Sequence, residues 1–145
     1  MSTPAPDATF IPATGLLAGL ELLQISQDGA VLHVTHDGEY TQGGFPLTIG
    51  ADVTIGHAAV VHACTIGDAC LIGMHATVLD GVVVERHAMI GAGAVVTPGK
   101  RVGEGELWLG NPARRVRLLS DEEIGRLYYS ARHYVKLKNR YLGIE

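Results

Sequence analysis

The chain has 145 residues, 47% of them apolar, with 11 Lys and Arg against 15 Asp and Glu for a net charge of −4. That is enough apolar material for one core, and the acidic balance argues against nucleic acid as a partner. No Lys or Arg precedes Arg86, and the first 20 residues hold three prolines, so a basic and apolar secretory leader is not expected and the protein reads as cytoplasmic.

In chain order, residues 1–26 come first. Residues 1–13 are rich in proline and small side chains and read as a loose tail. The apolar run 15–25 is too short to span a membrane, so no membrane partner is expected; it reads as a cap over one end of the repeat that begins at residue 27.

The repeat is clearest in its second half. Ile66, Ile72, Val78, Val84, Ile90, Val96 and Val102 fall six residues apart, with Gly67, Gly73, Gly91 and Gly103 directly behind four of them. Two places ahead of the first six aliphatics stand Cys64, Cys70, Ala76, Val82, Ala88 and Ala94. Six is a multiple of the two-residue period of a strand, so the aliphatics share a face; a helix, turning about 100° per residue, would scatter them. The spacing predicts an all-β solenoid over residues 27–113, a parallel β-helix with three short strands to a coil of about 18 residues. Cys64 and Cys70 occupy small-residue slots on adjacent faces and are expected as packed thiols, not as a disulfide or a metal pair.

The beat begins at 27–33 and is interrupted by an eleven-residue excursion, 36–46. With the excursion removed, His62 stands 62 − 33 − 11 = 18 positions from His33, one coil on, with Leu32 and Val61 as matching inward residues. His57 belongs to the preceding face of the same coil. A prism filled by Ile, Val and Ala has no room for imidazole, so all three histidines point outward, and a convex prism cannot bring two faces together. If one ion binds all three, His57 comes from a neighbouring chain, most simply in a trimer. Three neutral imidazole nitrogens and an open fourth position make a catalytic zinc set. The alternative is three ordinary surface histidines.

Several motifs recur in order: Gln27-Asp28-Gly29 through Leu32-His33, then Gly43-Gly44-Phe45-Pro46-Leu47, then Thr54-Ile55-Gly56-His57 through His62, then Cys64 through Met74. Gly110-Asn111-Pro112-Ala113 and Tyr129-Ser130-Ala131 through Tyr134-Val135 come after them. On these residues the sequence resembles the γ-class carbonic anhydrases and their bacterial homologues. The resemblance implies a left-handed β-helix, against the usual right-handed crossover rule, assembled as a homotrimer with metal at the subunit interfaces. It also implies reversible hydration of carbon dioxide to bicarbonate by a metal-bound hydroxide, with zinc as the cofactor and iron or cobalt as alternatives.

By the same resemblance His33 and His62 are ligands from one subunit and His57 is the ligand from its neighbour. Gln27 and Asp28 match polar residues beside the metal or the interface; the Gln27 amide either orients the hydroxide or substrate, or makes a corner hydrogen bond. Tyr134 matches a tyrosine that the C-terminal helix brings near the site, or it simply packs. His36 and Glu39 are candidate proton relays. Residues 1–26 match none of the family's earlier coils, whose Arg-Gly-Asp stretch supports the interface and the metal-bound water, so slow hydration is expected.

Residues 107–113 close the last coil, and 114–145 form a linker and a C-terminal helix. Arg114, Arg115 and Arg117 either gather an anion or, with so many acids nearby, pair with carboxylates. Ser120 through Glu123 reads as a capping box. Ile124, Leu127, Tyr128, Ala131, Tyr134, Val135, Tyr141 and Leu142 make a stripe that packs the helix along the prism. His75 and His87 are expected at the surface or an interface. Two other functions stay open: a hexapeptide acyltransferase with a histidine base, for which no CoA-binding extension is evident, and a metal-stabilised trimeric scaffold without turnover.

Overall fold

From Thr48 onward the chain advances in two-residue strands separated by tight turns. In the computed structural model, which describes residues 10–12, 21–27, 30–35 and 47–144, these are β4 (Thr48–Ile49), β5 (Thr54–Ile55), β6 (Val60–Val61), β7 (Thr65–Ile66), β8 (Leu71–Ile72) and β9 (Thr77–Val78). The series continues through β10 (Val83–Val84), β11 (Met89–Ile90), β12 (Val95–Val96) and β13 (Arg101–Val102) to the longer β14 (Glu106–Gly110). Three parallel ladders make the faces of a left-handed solenoid: β4-β7-β10-β13, β5-β8-β11-β14 and β6-β9-β12. The second residue of each strand points inward. Ile66, Ile72, Val78, Val84, Ile90, Val96 and Val102 are 0–1% exposed, and each such burial stabilises by about 1.5–3 kcal/mol.

Each turn needs a left-handed residue. Gly81, Gly93, Gly99 and Gly105 supply it without strain, whereas Asp52, Ala58, Ala63, Ala69, His75 and His87 adopt it at a cost. Stacking offsets that cost: the His75 N–H donates to the His57 carbonyl at 2.9 Å. The glycine behind an inward aliphatic has a different cause, close approach of the next coil. A Cβ on Gly73 would lie 2.5 Å from the Ala92 nitrogen.

One step of the beat is short. Val61 pairs with Val78, 17 residues on, while Ile66 pairs with Val84, 18 residues on. The turn between Val61 and Ile66 lacks one residue.

The end of the solenoid is closed by a hairpin and a helix. β14 turns back antiparallel into β15 (Ala113–Leu118). The Glu106 carboxylate accepts N–H groups from Gly103 and Trp108, both at 2.8 Å, and pairs with Arg115 at 2.7 Å. α1 (Asp121–Leu142) starts on the expected capping box, with Ser120 accepting from the Glu123 N–H and Glu123 accepting from the Ser120 N–H. Leu127 is buried with Leu107 and Leu119 against the outward residues Leu71 and Met89 of the second face. Lower down, the Thr54 hydroxyl donates to the Ser130 hydroxyl at 3.2 Å. No described helix is long and apolar enough to cross a membrane.

The stretch before β4 departs from expectation. β1 (Phe10–Pro12), β2 (Glu21–Gln27) and β3 (Ala30–Thr35) form an antiparallel sheet in that order, with Gln24 opposite His33. Residues 30–35 are therefore not stacked as a parallel coil under β6, whose partner is β9. The cause is local: Asp28-Gly29 lies between two apolar runs, 22–25 and 31–34, a strong two-residue hairpin signal.

Candidate metal centre

His57 and His62 project from the two turns that flank β6. His57 lies between β5 and β6, and His62 comes directly after Val61 at the opposite edge of the third face. His57 is half-buried. His62 is 53% exposed, and its Nε2 stands 3.5 Å from Oδ1 of Asp80. Between them Val60 faces outward at 50% exposure, and Met74, in the register position next to His57, is 55% exposed. The two histidine turns thus bracket an exposed apolar strip.

The remaining predicted site residues are less closely drawn together. Gln27 ends β2 and His33 lies on β3, both placed by backbone alone, while Asp28, His36 and Glu39 fall outside the described residues. Tyr134 is exposed on α1, one helical turn beyond the Ser130 contact with β5, with its ring edge-on to His133 at 5.7 Å. Among the described residues no three His, Cys, Asp or Glu side chains converge within one chain.

Known proteins share this architecture. Residues 63–98 match the family model for the bacterial transferase hexapeptide of six repeats. Over 143 residues the chain is 53% identical to protein YrdA of Escherichia coli, covering 95% of this chain and 78% of that one. The chain belongs to the hexapeptide-repeat family that includes YrdA and the γ-class carbonic anhydrases. To the mitochondrial γ carbonic anhydrase 1 of Arabidopsis thaliana it is 50% identical over 111 residues, which are 77% of this chain and 40% of the plant protein. A solved hexapeptide transferase family protein from Anaplasma phagocytophilum superposes with a TM-score of 0.61 at 38% identity, over 67% of this chain and 63% of that one.

Within this family frame the other polar groups sort by their partners. Cys64 and Cys70 are free and buried, as expected of packed thiols. Burial pushes both thiols up to about 11, which keeps them protonated and inert near neutral pH. Arg115 and Arg117 are engaged by Glu106 and Glu123, each at 2.7 Å, so no open anion cluster forms there. His75 is exposed. His87, expected at the surface or an interface, is instead enclosed under α1: its Nε2 meets the Tyr128 hydroxyl at 2.8 Å and its Nδ1 lies 3.7 Å from Glu104. Sequence reasoning missed this tie and missed Asp80. A signal for Asp80 was present, since Thr54-Ile55-Gly56 and Thr65-Ile66-Gly67 repeat at 11 residues and not at 12.

Proposed function

We propose that the protein is a γ-class carbonic anhydrase-like metalloenzyme that interconverts carbon dioxide and bicarbonate, with zinc, or iron or cobalt in its place, held between the subunits of a homotrimer. The observation that carries this reading is the placement of His57 and His62 at opposite edges of one face. Two outward rings that a convex prism keeps apart can share an ion only when a second copy brings its own edge alongside. The donor chemistry fits: imidazole nitrogen is a common zinc ligand. His62, with His33 on β3 as the family pattern suggests, binds from one subunit, and His57 binds from the next. Tyr134 and the Gln27 amide orient the substrate, and the Val60–Met74 strip excludes water where the copies meet. When bound, the metal supplies the Lewis acidity that ionises water near neutral pH.

The test is complementation. His57→Ala and His62→Ala should each lose metal, and mixed trimers of the two should recover some complete sites, read by metal content, native mass and carbon dioxide exchange. A chelator should weaken the trimer, because ligands divided between chains couple binding to assembly. A metal-binding monomer, or mixed trimers without recovery, overturns the reading. The likeness to a hexapeptide transferase family protein supports acyl transfer as a second reading, for which acyl-CoA titration is the direct test.

A further inference from the structure

The two ends of the prism differ. At the upper end β14 and β15 close the last coil. At the lower end β4, β5 and β6 each stand last in their ladders, and among the described residues no strand pairs with the other edge of any of the three. The core follows the same trend: Ile49 and Ile55 are only partly buried, whereas Ile66 and Ile72, one coil up, are 1% and 0% exposed. α1 also runs past this end. Ser130 meets Thr54 on the lowest strand of the second face, and Leu142 lies 142 − 130 = 12 residues further, about 18 Å at about 1.5 Å per residue. Leu127 and Ala131 are buried, but the stripe continues through Tyr134, Val135 and Leu142 at 43–51% exposure. Free strand edges, a half-covered core and an apolar helix flank therefore meet at one place, which is the form an uncapped solenoid end takes.

The chain carries a segment of matching register. Val31-Leu32-His33 stands 29 positions before Val60-Val61-His62, which is one 18-residue coil plus the eleven-residue excursion. In the hairpin the same residues pair antiparallel with β2, Val31 opposite Ser26. Alternation of apolar residues suits either partner, because a strand keeps its two faces whichever edge it joins. β1–β3 are bonded to none of the three prism ladders, so their rearrangement disturbs no coil above. We infer that residues 30–33 have two seats, the hairpin with β2 and a parallel strand beneath β6, and that the open end of the prism is the docking surface for this segment of its own chain. The exchange is a two-state element. Its coupling to metal rests on the reading of His33 and His62 as ligands of one ion: only the docked state sets them one coil apart, about 4.8 Å between backbones, so zinc favours that state.

Disulfide trapping in the full chain tests both seats. Ser26→Cys/Val31→Cys locks the hairpin, and Val31→Cys/Val60→Cys locks the docked strand. The native Cys64 and Cys70 are buried and stay out of the exchange. In a glutathione buffer each pair should form a link within one chain, read as monomer mass in denaturant without reductant, and thermal melts check that each variant folds. Zinc should promote the Val31–Val60 link and oppose the Ser26–Val31 link. Competition with a chromophoric chelator should show zinc held about tenfold more weakly by the locked hairpin and about tenfold more tightly by the locked docked strand, as when a binding-competent state is removed or fixed. Reduction should erase both differences. Absence of the link within one chain in Val31→Cys/Val60→Cys, with or without zinc, overturns the docked seat, and its absence in Ser26→Cys/Val31→Cys overturns the hairpin seat. Both links in a protein that takes up no zinc uphold the exchange and fail the metal reading alone. Zinc held equally by the two locked forms overturns the coupling.

Discussion

Two turns of the same solenoid carry histidines that differ in how far their own chain satisfies them. His87 is itself the left-handed residue of its turn, at φ 62°. Its ring is 19% exposed, edge-on to Tyr128 at 5.6 Å, with a phenol on one nitrogen and a carboxylate near the other. His62 stands one place ahead of left-handed Ala63, and its half-exposed ring faces the equally exposed Asp80. One imidazole is hydrogen-bonded to Tyr128 within the subunit and ties a helix to the prism. The other is half exposed, with only an ion-pair contact at 3.5 Å. Residue type and spacing treat the two alike; their partners and exposure separate them.

The largest expected effect tests what the two turns share. Both depend on the interior column, and Val78, fully buried and paired with Val61, lies directly behind His62. Val78→Asp places an unpaired carboxylate where no polar group is available, at several kcal/mol, roughly, which should prevent folding. Circular dichroism should show no cooperative melt. A soluble, cooperative variant would mean that the inward register is not what holds either turn.

The next effect separates the turns. His87→Ala should cost about 1–2 kcal/mol, because it strands the Tyr128 hydroxyl under the helix, and should leave zinc affinity unchanged. His62→Ala should stay within about 0.5 kcal/mol of the metal-free wild type in stability, as surface substitutions do, and should abolish zinc binding. Tyr128→Phe is the control for the first of these, since it removes the same bond from the other side. If His87→Ala costs zinc and His62→Ala costs stability, the assignment of roles is reversed.

Much of the prism could be read directly because a six-residue beat returns every inward side chain to the same face, and each of these residues is buried. The capping box was equally legible, as Ser120 and Glu123 act across one turn of chain. The antiparallel pairing of residues 21–27 with 30–35 was hidden by the same apolar alternation that suits a coil; Asp28-Gly29 was the clue that distinguished them. The short step escaped notice because Val61 and Ile66 each look like proper inward residues, and only their separation is odd. The His87–Tyr128 tie joins positions 41 residues apart, so it depends on how α1 docks, which a helical stripe does not specify. Asp80, read along the chain, is one more turn acid.

The smallest effect lies at the start of α1, whose docking His87 secures. Glu123 makes a two-pronged contact with Arg117, both bonds at 2.7 Å, and also accepts the Ser120 N–H at 2.8 Å. The Arg117 guanidinium, ahead of the Ser120 N–H, holds the Glu123 carboxyl down from its ordinary 4.5 to about 2. The folded state thus favours the ionised form. Its contribution is complete above pH 4.5 and is lost as pH falls from 4.5 toward about 2. The pair is exposed, so salt should weaken it. Ser120→Ala should cost about 1 kcal/mol at neutral pH, as lost helix caps do. Glu123→Gln should flatten the acid response across that window, with the His87–Tyr128 tie still in place. Thermal melts monitored by far-ultraviolet circular dichroism across the window provide the measurement. If Glu123→Gln weakens on acidification as much as the wild type does, the response arises from carboxylates elsewhere on the prism, and the helix end is held by its docking at His87 and not by its cap.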